Sequence, residues 1–202
     1  MNRVIIVEGP QGVGKTTLTN WLREQMLSTV LIRLTGVGDK SKLGEWKSFQ
    51  YHYSILRAIS DSFQCSVDFV LDRSFITEQV YTQLGYKPYR FDNRFKVLSK
   101  FLERSVANNY EVFIFNLSVS VGSDIADRLH RSKPAYHEFS LQSSIEQQVM
   151  YEGVIGAMSK SFCPHVKVYN IDTSRHDYRS TIAGILGLTD NDYAPNIKPE
   201  IK

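Results

Sequence analysis

The stretch VIIVEGPQGVGKTT, residues 4–17, decides the fold of this chain. It opens with four apolar residues, which is typical of a short buried strand. Gly-x-x-x-x-Gly-Lys-Thr follows from Gly9 to Thr16, and the next residues, TTLTNWLREQ, have the apolar spacing of a helix. In a strand, loop and helix of this kind, backbone N–H groups and the positive helix N-terminus surround phosphate groups. The stretch therefore predicts a triphosphate-binding loop.

The loop also assigns roles to single side chains. Lys15 is placed to reach the β and γ phosphates, and the hydroxyl of Thr16 is placed to coordinate Mg²⁺. We therefore predict ATP and Mg²⁺ as cofactors. Glu8 has two open interpretations: it accepts N–H groups of the loop, or it is a partly exposed carboxylate at the strand end. The residues predicted to bind the nucleotide here are Gly9, Pro10, Gln11, Gly12, Val13, Gly14, Lys15, Thr16 and Thr17.

Length and composition favour one globular domain. A chain of 202 residues, 42% hydrophobic and 22% charged, is able to bury one core. Its aperiodic end predicts a domain over 1–188 and a surface tail over 189–202. The net charge of +3 is too small to favour a nucleic-acid partner. Cys65 and Cys163 lack metal or disulfide spacing, so we expect reduced core thiols and a cytoplasmic protein. No apolar run approaches the ~20 residues of a membrane span, so we expect neither a targeting segment nor membrane insertion.

Short apolar runs and helical patterns alternate along the chain, which predicts an α/β fold. The runs lack polar alternation and are interpreted as five buried parallel strands: Val4–Val7, Val30–Leu34, Phe69–Leu71, Val112–Leu117 and Val166–Ile171. The helical patterns are Thr16–Leu27, Trp46–Ser60, Thr77–Leu84, Asp92–Ala107 and Ile145–Met158. A parallel sheet of this kind has helices on both faces and binds ligands at the carboxyl ends of its strands.

An acid and a base leave the third predicted strand together, as Asp72 and Arg73. If this strand lies beside the first one, Asp72 is able to reach the Mg²⁺ shell or the acceptor, and Arg73 is able to pair bidentately with a phosphate. Thr77 and Tyr81 follow on the next helical pattern and complete the predicted acceptor site. The five histidines show neither metal-ligand spacing nor a triad partner, and they receive no role.

With these residues the chain resembles the thymidylate kinase and deoxynucleoside kinase group. EGPQGVGKTT is similar to the FEGxDGxGKTT of thymidylate kinases, and Asp72-Arg73 with its helix is similar to their DR-xxx-S-xx-AYQ. The resemblance implies a P-loop NTPase fold with a short arginine-bearing lid, and it implies a homodimer. In such a lid, Arg128 and Arg131 stabilise the phosphoryl group in flight, and Arg128 also stacks on adenine. Thr173, in a match to the family's late IDA, is implied to contact the nucleotide.

The acceptor is predicted from the position of the carboxylates. A nucleoside kinase benefits from a carboxylate that takes the 5′-hydroxyl proton, whereas a phosphate acceptor is already anionic. In the deoxynucleoside kinases that the chain resembles, that carboxylate usually follows the second strand directly. The nearest one here is Asp39, which lies late, so a (deoxy)nucleoside monophosphate kinase is preferred. The alternatives are a deoxynucleoside kinase with Asp72 or Asp39 as base, a kinase acting on a hydroxylated base in DNA, and a nucleotide-binding switch without an acceptor.

Overall fold

The computed structural model describes residues 2–36, 38–39, 41, 43–120, 141–160 and 164–188. Five strands form one parallel sheet in the order β2-β3-β1-β4-β5. The strands are β1 Arg3–Glu8, β2 Thr29–Arg33, β3 Asp68–Asp72, β4 Glu111–Ser118 and β5 Val166–Asp172. Four strands contain the whole of a predicted apolar run, and β2 contains all of its run except Leu34. The predicted α/β fold with a five-stranded parallel sheet is therefore confirmed.

Helices connect the strands, and most of their ends lie within two residues of the predicted patterns. Their bounds are α1 Lys15–Gln25, α2 Gly44–Asp61, α3 Phe75–Gln83, α4 Asp92–Phe101, α5 Leu141–Ser159 and α6 Tyr178–Leu186. The pattern predicted over Asp92–Ala107 is one α-helix followed by a π-helical turn, Leu102–Val106. Helix α6 was not predicted. Among the described helices, none is both long enough and apolar enough to cross a membrane.

The sheet separates two apolar layers because alternate residues of a strand point to opposite faces. On β1, Val4 and Ile6 pack into the layer that holds α2 to α5, while Ile5 and Val7 pack into the layer that holds α1 and α6. All four side chains are fully buried. Burial of a side chain of this size contributes about 1.5–3 kcal/mol, which explains why the central strand has no polar position between Arg3 and Glu8.

Two expectations about burial were wrong. Strand β2 is not a buried strand, since Val30 is 44% exposed. It lies at the edge of the sheet and pairs only with β3, so neighbours cover it less completely than they cover β1. Cys65 is an exposed free thiol rather than a core thiol, because it lies in the turn between α2 and β3. Cys163 and the predicted tail over 189–202 lie outside the described residues.

The strand register brings the polar strand ends to one edge of the sheet. Val7 is level with Asp72 of β3 and with Phe115 of β4. Ser118 of β4 is level with Asp172 of β5. The glycine loop after β1 therefore lies between the end of β3 and the end of β5, at the edge where parallel α/β sheets bind their ligands.

Candidate active site

The glycine loop connects β1 to α1 through backbone conformations that favour glycine. Gly9, Gly12 and Gly14 have φ values of 136°, 80° and 92°. A Cβ atom on Gly9 would lie 2.4 Å from the carbonyl oxygen of Leu117, so this position excludes any side chain. Leu18 N–H donates to Gly14 at 2.9 Å and begins the helix. The loop thus packs closely on β4 and directs the N-terminus of α1 toward its own concave side.

Lys15 is buried inside this loop. Its Nζ donates to the carbonyl oxygens of Gly9, at 2.8 Å, and of Pro10. Burial lowers the pKa of Lys15 well below its usual value, and the charge of Arg73 lowers it further, while Asp72 and Glu8 oppose both effects. The ammonium contacts neutral carbonyls and no carboxylate of the described residues, so an anion in the loop would gain a full charge partner.

Thr16 and Asp72 meet across the gap between β1 and β3. The Thr16 hydroxyl donates to Oδ2 of Asp72 at 2.8 Å, and the Asp72 side chain is otherwise largely buried. Thr17, beside it, is exposed at the helix start. A hydroxyl and a carboxylate are the hard oxygen ligands that Mg²⁺ prefers, so this pair fits the predicted metal position.

Arg73 has an unusual backbone conformation for a residue with a side chain. Its φ is +78°, in the left-handed region, and its N–H donates to Val7 at 3.0 Å. Strained conformations of this kind persist where the surroundings fix them, and they cluster at functional sites. The guanidinium donates to the Tyr81 hydroxyl at 3.2 Å and lies 5.9 Å from the centre of that ring. The turn after β3 therefore aims Arg73 along the first turns of α3.

Glu8 has neither of the two roles expected from the sequence. It is fully buried, and its carboxylate accepts hydrogen bonds from Ser74, at 2.6 Å, and from Thr77, at 2.7 Å. Ser74 also caps α3 by accepting from the N–H of Ile76 at 3.2 Å. The Thr77 hydroxyl lies 2.8 Å from the hydroxyl of Tyr151 on α5. Glu8 therefore fixes the start of α3 rather than the glycine loop.

The burial of Glu8 affects its titration. Desolvation raises the pKa of Glu8 from 4.5 to about 7, although the hydrogen bonds from Ser74 and Thr77 and the charges of Arg73 and Lys15 act in the opposite direction. Because the native state holds this proton more tightly than the unfolded chain, the contribution of Glu8 to stability is full below pH 4.5. It is lost as the pH rises through about 7.

We predict that Glu8→Gln flattens the pH dependence of stability. The wild type is expected to lose up to about 3 kcal/mol of unfolding free energy between pH 4.5 and 7.5 through this group, at about 1.4 kcal/mol per pKa unit. Glutamine does not titrate and keeps two polar atoms for Ser74 and Thr77. Urea unfolding at several pH values measures the effect, with the exposed Glu152→Gln as control. Parallel profiles for Glu8→Gln and wild type would show that Glu8 does not titrate as described.

Thr173 follows β5 and contacts the glycine loop from the other side. Its buried hydroxyl donates to the carbonyl oxygens of Val13, at 2.9 Å, and of Ser118, at 3.2 Å. Gln147 of α5 reaches the same loop, where its Oε1 accepts the Gln11 N–H at 3.2 Å. The structure thus places Thr173 against the predicted nucleotide loop and adds Gln147, for which no sequence motif predicted a role.

A pocket of about 250 Å³ opens beside the glycine loop at the end of β3. Its wall includes three predicted acceptor residues, Arg73, Thr77 and Tyr81. Gln11 lines it from the loop side. The Thr77 hydroxyl already bonds Glu8 and Tyr151, whereas Arg73 joins the pocket to the strand end that carries Asp72. The predicted donor and acceptor residues therefore come together at one edge of the sheet.

Three titratable side chains of the pocket wall were missed from the sequence: His52, Glu78 and Lys87. The buried carboxylate of Glu78 accepts from the hydroxyl of Tyr89 and lies 3.8 Å from Nζ of Lys87. No sequence motif points to Glu78; the structure places it within Phe75–Val80, a stretch of α3 with no exposed residue. A charged side chain in such a stretch needs a partner inside the protein.

Three further predicted residues remain to be located: Asp39, Arg128 and Arg131. Asp39 forms an ion pair with Lys47 and accepts the N–H of Ser41 at 2.7 Å, and it does not line the pocket beside the loop. Arg128 and Arg131, the predicted lid residues, lie outside the described residues. Their role as charge-stabilising donors stays a prediction.

Comparison with known proteins gives matches in structure only. No protein-family model matches the sequence, and no curated protein matches it significantly. Deoxyadenosine kinase from M. mycoides, with the products dCMP and a flexible dCDP bound, matches with a TM-score of 0.54 and 15% identity over 91% of this chain and 98% of that chain. The same enzyme with bound dCTP matches with a TM-score of 0.51 and 13% identity over 93% of this chain and 99% of that chain. Thymidylate kinase from Candida albicans matches with a TM-score of 0.57 and 12% identity over 96% of this chain and 94% of that chain.

These matches cover 91–96% of this chain and carry very low sequence identity, so they report on the fold. They agree with the α/β architecture and with the resemblance found in the sequence motifs. The chain has the P-loop α/β fold of the thymidylate kinase and deoxynucleoside kinase group.

Proposed function

We propose that this protein is an ATP- and Mg²⁺-dependent kinase that phosphorylates a (deoxy)nucleoside monophosphate. The observation that carries the proposal is the position of Arg73. Arg73 directly follows Asp72 in the chain and lines the pocket beside the nucleotide loop. Asp72 in turn accepts a hydrogen bond from Thr16 of that loop. A cation between a triphosphate loop and an acceptor pocket is suited to hold the acceptor phosphate in line with the transferred group.

The donor half of the reaction rests on Lys15 and the loop N–H groups. A triphosphate entering the loop replaces the carbonyl partners of Lys15 with phosphate oxygens, and the ammonium then neutralises charge that develops during transfer. Thr16 and Asp72 would hold Mg²⁺, which would neutralise phosphate charge when it is bound. The buried surroundings of Lys15 strengthen these interactions relative to water.

The acceptor half rests on Arg73. In the proposed transfer, an oxygen of the acceptor phosphate forms a bond to the γ phosphorus, and the bond from that phosphorus to the β-γ bridging oxygen breaks. The electron pair stays on ADP. An anionic acceptor needs no base, and Arg73 fixes it by charge-assisted hydrogen bonds. The products are ADP and a nucleoside diphosphate.

A deoxynucleoside kinase is the second candidate, and Glu78 is the observation in its favour. A 5′-hydroxyl acceptor benefits from a carboxylate base, and Glu78 is the one carboxylate among the described residues that line the pocket. Its bond from Tyr89 and its proximity to Lys87 favour a structural role instead. Asp39 is tied to Lys47, and Asp72 is engaged by Thr16, so neither is a better base.

A coupled assay of ADP release tests the proposal. ATP and Mg²⁺ are supplied with nucleosides, nucleoside monophosphates and oligonucleotides that carry hydroxylated bases, and the product is identified by mass spectrometry. We expect transfer to a monophosphate. Turnover with nucleosides alone would replace the proposal by the second candidate, and turnover with oligonucleotides alone would indicate a kinase of a modified base in DNA. ATP binding without any transfer would indicate a switch.

We predict that Asp72→Asn raises the Mg²⁺ concentration needed for half-maximal rate at least tenfold. The substitution removes a charge from the predicted metal position but leaves an oxygen for the Thr16 hydroxyl. Initial rates measured against free Mg²⁺ at fixed ATP give the effect. Asp61→Asn, on an exposed side chain of α2, is the matched control. An unchanged Mg²⁺ dependence in Asp72→Asn would remove Asp72 from the metal site.

A further inference from the structure

Arg73 is held at both ends, and the two ends belong to different elements. Its N–H donates to Val7 of β1 at 3.0 Å, and its guanidinium donates to the Tyr81 hydroxyl on α3 at 3.2 Å. The backbone of Arg73 is thus fixed by the sheet, whereas the position of its guanidinium depends on α3. The way in which α3 is joined to the end of the sheet therefore decides where Arg73 points within the pocket.

The joint between the sheet and α3 is a single residue. The carbonyl oxygen of Asp72 accepts the N–H of Leu34 at 3.1 Å, and its carboxylate accepts from Thr16, so the chain is still fixed to its neighbours at this position. Ser74, two residues further on, is already the N-cap of α3. The whole change of direction therefore falls on Arg73, whose φ of +78° is unfavourable for a residue with a side chain.

Glu8 connects the end of β1 to the first turn of α3. One oxygen of its carboxylate accepts from the Ser74 hydroxyl at 2.6 Å, and the other accepts from the Thr77 hydroxyl at 2.7 Å. Ser74 is the N-cap and Thr77 lies three positions later, so one carboxylate bridges the whole first turn of the helix. Glu8 therefore fixes both the point at which α3 begins and the direction in which it leaves the sheet.

Glu8 supports the wall of the acceptor pocket from behind. It is fully buried, and it is not among the described residues that line the pocket. Its two partners, Ser74 and Thr77, do line the pocket, as does Arg73. A buried carboxylate is tolerated only where hydrogen bonds or a charge partner compensate its desolvation, and here the first turn of α3 supplies both hydrogen bonds. Glu8 is thus able to act on a ligand in the pocket only through these neighbours.

We infer that Glu8 is a positioning residue for the acceptor phosphate, which sets the direction of the Arg73 guanidinium through the first turn of α3. The inference rests on the proposed function, because it takes the ligand of Arg73 to be the phosphate of a nucleoside monophosphate. It assigns the residue before the glycine loop to the acceptor half of the site. Without the carboxylate the turn relaxes and the guanidinium moves, and a misplacement of about 1 Å is enough to lower a rate by about 10²-fold.

Two substitutions of Glu8 separate its hydrogen bonds from its volume. Glu8→Met has nearly the same length but offers no oxygen to the hydroxyls of Ser74 and Thr77, whereas Glu8→Gln keeps two polar atoms for them. Leu102→Ala, at a fully buried position away from the pocket wall, is the control for a loss of stability alone. The kinetic constants are measured with dTMP, dCMP, dAMP and dGMP, and the KM for ATP is measured in parallel.

For Glu8→Met we expect an about 10- to 100-fold loss of kcat/KM with the best monophosphate, carried by its KM, while the KM for ATP stays within about twofold. Glu8→Gln is expected to stay within about threefold of the wild type, and Leu102→Ala is expected to melt earlier with an unchanged KM for the monophosphate. An unchanged KM in Glu8→Met, or an equal loss in Glu8→Gln, would overturn the inference. If the wild type transfers to none of the four monophosphates, the proposed function fails first and the inference falls with it.

A double-mutant cycle tests whether Glu8 acts through Arg73. Glu8→Met is introduced into the Arg73→Ala variant, and kcat/KM for the monophosphate is compared with that of each single variant. Because the guanidinium is already absent, the second substitution is expected to change kcat/KM by less than about threefold. Losses that multiply in the double variant would show that Glu8 affects the acceptor by another route, and they would contradict the inference.

Melting temperatures test the constraint on the backbone without any acceptor. With Glu8 present, Arg73→Gly is expected to melt about 2–4 °C above Arg73→Ala, because glycine adopts a φ of +78° without strain. With Glu8→Met the turn is free to relax, and the difference is expected to fall below about 1 °C. If Glu8→Met does not fold, Thr77→Val, which removes one of the two hydroxyls at nearly constant shape, is expected to reduce the difference by about half. An undiminished difference would show that other contacts impose the strain, and it would overturn the inference.

Discussion

Lys15→Ala is expected to abolish phosphoryl transfer to every acceptor, with a loss of about 10³-fold or more in kcat. Lys15 is the buried cation of the glycine loop, and its ammonium contacts the carbonyls of Gly9 and Pro10. Removal of one preorganised donor from a buried site typically costs 10²–10³ in rate, and this donor also carries a full charge. The loss is measured as initial rate at saturating ATP with the acceptor that the assay identifies.

The fold is expected to tolerate this substitution. Because burial disfavours the charged form of Lys15, its removal relieves a desolvation cost and leaves no carboxylate of the described residues without its contact. Thermal unfolding is expected to occur at or above the wild-type midpoint. Lys167→Ala is the matched control. Lys167 pairs with Glu111 near the starts of β5 and β4, at the edge of the sheet opposite to the glycine loop. If Lys15→Ala kept more than a tenth of the activity, its assignment would be wrong.

Arg73→Ala is expected to lower kcat/KM for a monophosphate acceptor by about 10²- to 10³-fold while ATP binding stays within about twofold. Each charge-assisted hydrogen bond contributes about 1.5–3 kcal/mol. A guanidinium is able to donate two such hydrogen bonds to the same phosphate. Arg73→Lys keeps the charge but loses the planar fork, so it is expected to recover only part of the rate. Steady-state kinetics with the acceptor varied and calorimetry with ATP measure the two quantities.

The backbone at Arg73 makes alanine the informative replacement. Arg73 has a φ of +78°, and alanine keeps the same strained conformation, so the comparison isolates the guanidinium. Tyr81→Phe removes the hydroxyl that accepts from Arg73 and is expected to cost less than tenfold. Arg57→Ala, an exposed arginine on α2, controls for the loss of a positive charge. Full activity of Arg73→Ala with a monophosphate, or an equal loss with a nucleoside, would contradict the acceptor assignment.

The donor half of the site could be predicted from the sequence because it is contiguous. Gly9 to Thr17 forms one loop and one helix start, and the constraints on it are local: positive φ values at Gly9, Gly12 and Gly14, and free N–H groups at the helix N-terminus. The five strands were also predictable, since each contains a short apolar run. The error at β2 arose because apolar composition does not distinguish an edge strand from a central one.

Glu8 shows where reasoning from the sequence stops. It directly precedes the loop, which suggested a contact with the loop or with solvent, but its partners Ser74 and Thr77 lie 66 and 69 positions away. The parallel register of β1 and β3, with Val7 level with Asp72, brings those hydroxyls to the end of β1. The secondary-structure preferences of single residues, or of residues adjacent in the sequence, carry no information about such a pairing.

The acceptor pocket differs from the loop in the same way. The motif around Asp72 and Arg73 was visible in the sequence. Its predicted role in acceptor binding depended on the assumption that its strand lies beside the first one. The sheet order β2-β3-β1 confirms that the two strands are neighbours. His52 and Lys87 belong to no motif, and their place in the wall depends on how α2 and the segment after α3 pack over that strand end.

The sequence by itself determined the α/β class, the glycine loop and the cation and hydroxyl that this loop carries, because local backbone geometry and apolar periodicity are written in neighbouring residues. Only the tertiary structure decided which side chains face the loop. It paired Thr16 with Asp72 and buried Glu8 away from solvent. The reason is physical: strand register and helix packing set distances between residues far apart in the chain, and burial then fixes their charge states.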